Sequence, residues 1–206
     1  MLGVYNYTVV LTYFGMLVSF MGISFAAQGN LRSALTCLII SGVCDMFDGK
    51  IASTKVRTAK EKRFGIQIDS LSDLICFGVL PAMIVSHLTG SHSAGFYICG
   101  LYLLCTLIRL AWFNVDEEER QDQTQEARQV YLGLPVTTVA LLLPLVFGIS
   151  HMTGQPPRRV APVLLLAMSA AFLIPFKLKK PALLGKLGVL LCGSASLIIV
   201  LAGVDL

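Results

Sequence analysis

The run Cys44-Asp45-Met46-Phe47-Asp48-Gly49-Lys50-Ile51-Ala52-Ser53 is followed, after a basic stretch, by Gly65-Ile66-Gln67-Ile68-Asp69-Ser70-Leu71-Ser72-Asp73. Together they carry four aspartates in two pairs, spaced by three and by four residues. Those spacings put each pair on one face of a helix, so two neighbouring helices can aim four carboxylates into one small volume. The flanking sequence reads as membrane-spanning. Bare carboxylates at membrane depth persist where they face a polar cavity, a cation or a partner charge, which makes the four aspartates a functional-site candidate.

The rest of the chain supports the membrane reading. Its 206 residues are 55% hydrophobic and only 14% charged, with a mean hydropathy of +0.76. A soluble domain of this size carries more charge. Apolar stretches at 7–27, 31–49, 66–88, 94–115, 131–151, 160–176 and 182–203 predict about seven transmembrane helices, most near the roughly 20 residues needed to cross hydrocarbon. The expected architecture is an all-α polytopic bundle in which residues 1–206 form a single integral membrane domain. Tyr7, Thr12, Tyr13 and Ser19 interrupt the first stretch, which reads as a retained helix rather than a cleaved leader.

Lys and Arg fix the expected orientation. With the amino terminus in the cytoplasm, three groups of cations lie inside. These are Lys50, Lys55, Arg57, Lys60, Lys62 and Arg63; Arg109, Arg120 and Arg128; and Lys177, Lys179, Lys180 and Lys186. Only Arg32, Arg158 and Arg159 of the 16 cations then lie outside. The four-aspartate site opens toward the cytoplasm in this arrangement. The formal charge of +4 fits cations meeting anionic headgroups, and membrane lipid rather than nucleic acid is the expected partner.

Hard oxygen ligands grouped in this way suit Mg²⁺ or Mn²⁺, and two such ions can bridge a pyrophosphate. Gly49 and Gly65 flank the basic loop, where the missing side chains let a nucleotide approach the backbone. Lys50, Lys55 and Arg57 can neutralise phosphate charge there. The alternative is that the acids pair with these cations and fix the helix–helix geometry. Six cysteines, Cys37, Cys44, Cys76, Cys99, Cys105 and Cys192, lie scattered in apolar segments and read as packing residues. His87, His92 and His151 fall in or near outside loops. The acidic run Asp116–Asp122 reads as a solvated connection. Asn6, Tyr7 and Thr8 either touch a nucleotide base or anchor the first span at the interface.

The aspartate segment resembles the signature of the CDP-alcohol phosphotransferases, D-x2-D-G-x2-A-R-x8-G-x3-D-x3-D. All four aspartates, both glycines and Ala52 are in order. The resemblance implies that Asp45, Asp48 and Asp69 bind two divalent cations, that Asp73 is the base deprotonating the attacking alcohol, and that Asp48, Gly49, Ala52 and Gly65 belong to a CDP pocket. It also implies a homodimer. Ser53 stands where the signature has arginine, and eleven residues rather than eight separate it from Gly65. Lys55 or Arg57 is expected to supply the missing charge, although a flexible lysine does not reproduce an arginine fork.

Three further segments are similar to those of the bacterial phosphatidylserine synthases within that family: Ser72-Asp73-Leu-Ile-Cys-Phe-Gly78-Val-Leu-Pro81, Arg109-Leu-Ala-Trp-Phe113-Asn114, and Tyr131-Leu-Gly133-Leu134-Pro135. The implied reaction is transfer of a phosphatidyl group from CDP-diacylglycerol to L-serine, with release of CMP, at the cytoplasmic face of a bacterial cell membrane. Arg109 either pairs with the serine carboxylate or snorkels to the headgroups. Asn114 and Thr137 are candidate hydrogen-bonding partners for the acceptor. Gly133-Leu134-Pro135 reads either as a helix start or as a ligand site. Glycerol 3-phosphate or inositol phosphate is the alternative acceptor. A divalent-cation transporter is the alternative from another class, but it would spread its acids along a path rather than gather them beside two glycines.

Overall fold

Gly15, Ser19, Gly22 and Ala26 recur on one buried face of the first helix, and this stripe decides how the bundle begins. The computed structural model describes residues 3–123 and 130–179. In it α1 (Val10–Ala27) packs along α2 (Leu31–Ala52) so closely that a Cβ at Gly22 would lie 2.8 Å from the Cβ of Cys37. Lipid tails are as apolar as leucine, so helices associate in a bilayer through close packing and internal hydrogen bonds. Both are present: Ser19 and Ser41 share a hydrogen bond of 2.7 Å, and Ser41 also donates to the Gly15 carbonyl at 3.0 Å.

A single long rod follows. It consists of α3 (Ala59–Asp73), a π-helical turn (Leu74–Val79) and α4 (Leu80–Thr89). Thr58 and Glu61 form a reciprocal capping box at its start, satisfying amides that have no helical partner. The π turn has a readable cause in Pro81. A proline has no N–H to give the Phe77 carbonyl four residues earlier. The buried Tyr102 hydroxyl donates to that carbonyl at 2.6 Å instead.

The remaining helices are α5 (Ala94–Gln123), α6 (Val139–Thr153) and α7 (Pro157–Leu173). Their buried faces meet the first helices around Leu35, Leu38, Phe77, Leu80, Tyr102, Leu143, Phe147 and Leu165. Phe14, Leu17, Phe20, Tyr97, Leu104, Trp112 and Val163 are exposed, the apolar exterior a bilayer-embedded bundle requires. Val10–Ala27, Ala59–Thr89, Ala94–Arg120 and Val136–Thr153 are each long and apolar enough to cross a membrane. Helix α2 spreads Arg32, Asp45, Asp48 and Lys50 along its 22 residues, and α7 has 17 residues.

Several expected boundaries move. The fifth span starts at Val136, not 131, because Gly133 has a φ of +77° and Pro135 is extended. The preceding Val130–Leu132 (β1) pairs antiparallel with Lys177–Lys179 (β2), a two-stranded addition to the all-α expectation. The sixth expected stretch is the helix Pro157–Leu173, stopping short of Pro175. The acidic run after Val115 continues α5 to Gln123 instead of forming a loop, and Gln67 donates to Glu118 at 3.0 Å while Glu117 pairs with Arg120 at 2.6 Å. The expected seventh span, 182–203, lies outside the described residues, as does Cys192. The other five cysteines are buried and free.

Candidate active site

Helix α2 must end in order to return the chain to the aspartate face, and Ser53 ends it. Its amide reaches the Gly49 and Lys50 carbonyls at 3.2 Å, and its hydroxyl donates to the Lys50 carbonyl at 2.7 Å. The residue standing in the signature's arginine position is thus spent on closing a helix. Thr54 donates to the Ile51 carbonyl at 2.8 Å and shares a hydrogen bond with the Tyr7 hydroxyl at 3.2 Å. Seven residues on, Glu61 takes donors from Asn6 at 3.1 Å, Lys55 at 3.4 Å and the Thr58 amide at 2.9 Å. Asn6 in turn accepts from the amide and hydroxyl of Thr8. The segment before α1 is therefore tied to the basic loop.

This loop brings the two aspartate pairs together. One carboxylate oxygen from each of Asp45, Asp48 and Asp69 lies within 4.8 Å of the others. Asp73 lies against Asp45, and Asp69 against Asp48. Asp48 is buried and accepts from the Thr12 hydroxyl at 3.1 Å. Thr12, Cys44, Asp45, Asp48, Asp73 and Cys76 line one small pocket between α1, α2 and the π turn. Among the described residues no salt bridge joins these carboxylates to a loop cation; Lys55 pairs with Glu61. The pairing of these acids with loop cations, the alternative to a ligand site, is not seen among the described residues.

Carboxylates so close repel one another unless protons or cations intervene. A purely oxygen donor set, without a paired lysine or arginine, fits a hard divalent ion such as Mg²⁺ or Mn²⁺. One flank of the site is open and the other is filled by the basic loop. A Cβ on Gly49 would meet nothing within 4 Å, and one on Gly65 would come 3.1 Å from Nη1 of Arg57. Ala52 is the last residue of α2 and half-buried.

The acceptor candidates have separate fates. Arg109 is buried, only 7% exposed, and its Nε donates to the Leu134 carbonyl at 3.4 Å, so it does not snorkel to the headgroups. Gly133 is part of that contact, since a Cβ there would sit 3.6 Å from Cζ of Arg109. The Gly133 amide also donates to the Phe176 carbonyl at 2.7 Å, so this segment straps α7 rather than merely starting a helix. Asn114 accepts from the Ser70 hydroxyl and donates to Gln67 at 3.3 Å, binding α5 to the helix that carries Asp69. Thr137 lies half-buried in a short 3-10 turn, Val136–Thr138. His87 lies beside Gly29, at the far end of α2 from Asp45.

Sequence reasoning gave no role in the site to Thr12, Ser72 and Glu61. Thr12 and its neighbours were visible only as polar interruptions of an apolar span. Ser72 donates to the Thr12 carbonyl at 3.3 Å, closing α3 onto α1.

Known proteins resemble this chain over the residues that build the site. A stretch of the yeast Saccharomyces cerevisiae CDP-diacylglycerol–serine O-phosphatidyltransferase is 36% identical over 108 residues, 51% of this chain and 38% of the relative. The enzyme of that name from Mycobacterium leprae is 32% identical over 141 residues, 64% of this chain and 45% of the relative. An archaetidylserine synthase from Methanothermobacter thermautotrophicus is 26% identical over 151 residues, 73% of this chain and 59% of the relative. The chain thus spans about half, or less, of the length of the first two. The profile of the CDP-alcohol phosphatidyltransferases runs from residue 5 to residue 176 and takes in both aspartate pairs, the basic loop and the strap over Arg109. The chain is an integral membrane protein and belongs to the CDP-alcohol phosphatidyltransferase family.

Proposed function

We propose that the chain transfers the phosphatidyl group of CDP-diacylglycerol to L-serine, releasing CMP, at the cytoplasmic face of a cell membrane, bacterial by the resemblance. The observation that carries this reading is the convergence of Asp45, Asp48 and Asp69 with Asp73 in contact beside them. Asp45, Asp48 and Asp69 would hold one or two divalent cations, whose chemistry is to neutralise the pyrophosphate and the departing CMP.

The remaining work belongs to the protein. Gly49 and Ala52 leave room for the nucleotide against the backbone, and Gly65 admits the basic-loop side chain that faces its phosphates. Asp73 takes the proton of the serine hydroxyl. The serine oxygen forms a bond to the phosphorus on the lipid side, and the bond from that phosphorus to the CMP oxygen breaks. Arg109, buried under Gly133, is the proposed partner of the serine carboxylate, with Thr137 and Asn114 on the acceptor side. The names of the relatives support a serine acceptor.

The test uses purified protein with CDP-diacylglycerol, Mn²⁺ or Mg²⁺, and a panel of alcohols. Serine-dependent release of CMP with formation of phosphatidylserine is expected. Release with glycerol 3-phosphate alone would refute the serine assignment, and metal flux without CMP release would place the chain among transporters.

A further inference from the structure

The basic loop carries six cations, and the structure sorts them. Lys50 turns back over the ring of Phe47, 5.6 Å from its centroid. Lys55 is held by Glu61 at 3.4 Å, and Glu61 is itself fixed by Thr58 and Asn6. Lys60, Lys62 and Arg63 are exposed on the first turns of α3. Arg57 behaves differently. It follows Val56, which is 98% exposed, yet it is itself half-buried and brings Nη1 to 3.1 Å from the Cβ position of Gly65.

Gly65 stands four residues before Asp69, one turn away on the same face of α3. The guanidinium therefore occupies the space that the missing side chain leaves, one turn from the carboxylate cluster. A planar fork with several donors is suited to gripping two phosphate oxygens at once, which an ammonium does as a point charge only.

We infer that Arg57 is the residue that binds the diphosphate of a cytidine nucleotide, and that Glu61 is the positioning residue that fixes the loop and withdraws Lys55 from that task. This rests on the CDP-dependent reading above. It deepens that reading by choosing one cation among six and by giving the Asn6–Glu61 contact a purpose. Ser53 caps α2, so the charge absent from that position is delivered from four residues further along the chain and folded back over Gly65.

The full chain in lipid nanodiscs, titrated with CDP in the presence of Mg²⁺, tests the inference. Arg57→Ala should weaken CDP binding about 10- to 100-fold, as expected for losing charge-assisted hydrogen bonds, with Arg57→Lys in between. Lys55→Ala should weaken it less than about threefold, and Lys62→Ala should stay within about twofold of the parent. Thermal unfolding of each variant in the same nanodiscs separates lost binding from lost fold. Arg57→Ala that is folded and binds CDP like the parent overturns the inference alone. A parent chain that takes up no CDP overturns the proposed function, and this inference with it.

Discussion

The Tyr102 hydroxyl donates to the Phe77 carbonyl at 2.6 Å inside the bundle, where both side chains are fully buried. That bond holds a helix turn which Pro81 leaves without its own amide, in the residues immediately after Asp73. π turns inside longer helices often mark functional sites, and this one begins at the residue after Asp73. Tyr102→Phe keeps the ring and removes only the donor. It should cost about 1–3 kcal/mol of stability, the penalty for leaving a buried acceptor unsatisfied. Thermal unfolding in nanodiscs measures that loss, and an unshifted midpoint would show that the carbonyl finds another donor.

Close helix packing gives a second prediction. Gly22 faces Cys37 and Leu80, with a Cβ position 2.8 Å and 3.0 Å from their nearest atoms. Gly22→Leu forces α1 from α2 and should destabilise the protein by about 1–3 kcal/mol or more. Because the same contact surface runs on to Thr12 and Asp48, CDP-dependent activity should fall along with the unfolding temperature. A variant with parental stability would mean that the two helices can slide apart without loss.

How much of this was readable in the chain depends on the range of each interaction. The two aspartate pairs were plain because helical spacing is local, and the expected metal group follows from three and four residues of separation. The capping of α2 by Ser53 is equally local, yet its consequence for Arg57 needs the path of the whole loop. Asn6 and Glu61 are 55 residues apart, and Tyr102 and Phe77 are 25 apart, so no periodicity reports either bond. Val130–Leu132 are as apolar as any spanning residues. Only the turn chemistry of Gly133 and Pro135 separates the strand from the helix that follows. The contacts of Asn114 with Ser70 and Gln67 were not legible because those partners belong to another helix.

The donor set leads us to predict metal dependence. Asp45→Asn and Asp69→Asn each replace a charged oxygen ligand by a neutral amide, so Mn²⁺ binding should drop by at least about tenfold and turnover should be lost. Chelation of the parent protein should abolish activity, and excess Mg²⁺ or Mn²⁺ should restore it. Electron paramagnetic resonance of added Mn²⁺ reads the affinity directly. Equal Mn²⁺ uptake by the parent and both variants would remove these residues from the metal site.

Asp73 is expected to behave differently from its neighbours. It touches Asp45 and lines the same small pocket, but the three-carboxylate group within 4.8 Å consists of Asp45, Asp48 and Asp69. Its proposed work is to remove a proton from the acceptor hydroxyl, which an amide cannot do. General-base assistance contributes about 10²–10⁴-fold, so Asp73→Asn should lower kcat by that order while KM for CDP-diacylglycerol and Mn²⁺ affinity stay close to the parent's. Steady-state kinetics with serine, set beside CDP titration of the same preparation, provides both numbers. If Asp73→Asn instead loses metal and nucleotide affinity in parallel with Asp69→Asn, Asp73 belongs to the metal shell and the proton acceptor lies elsewhere in the pocket.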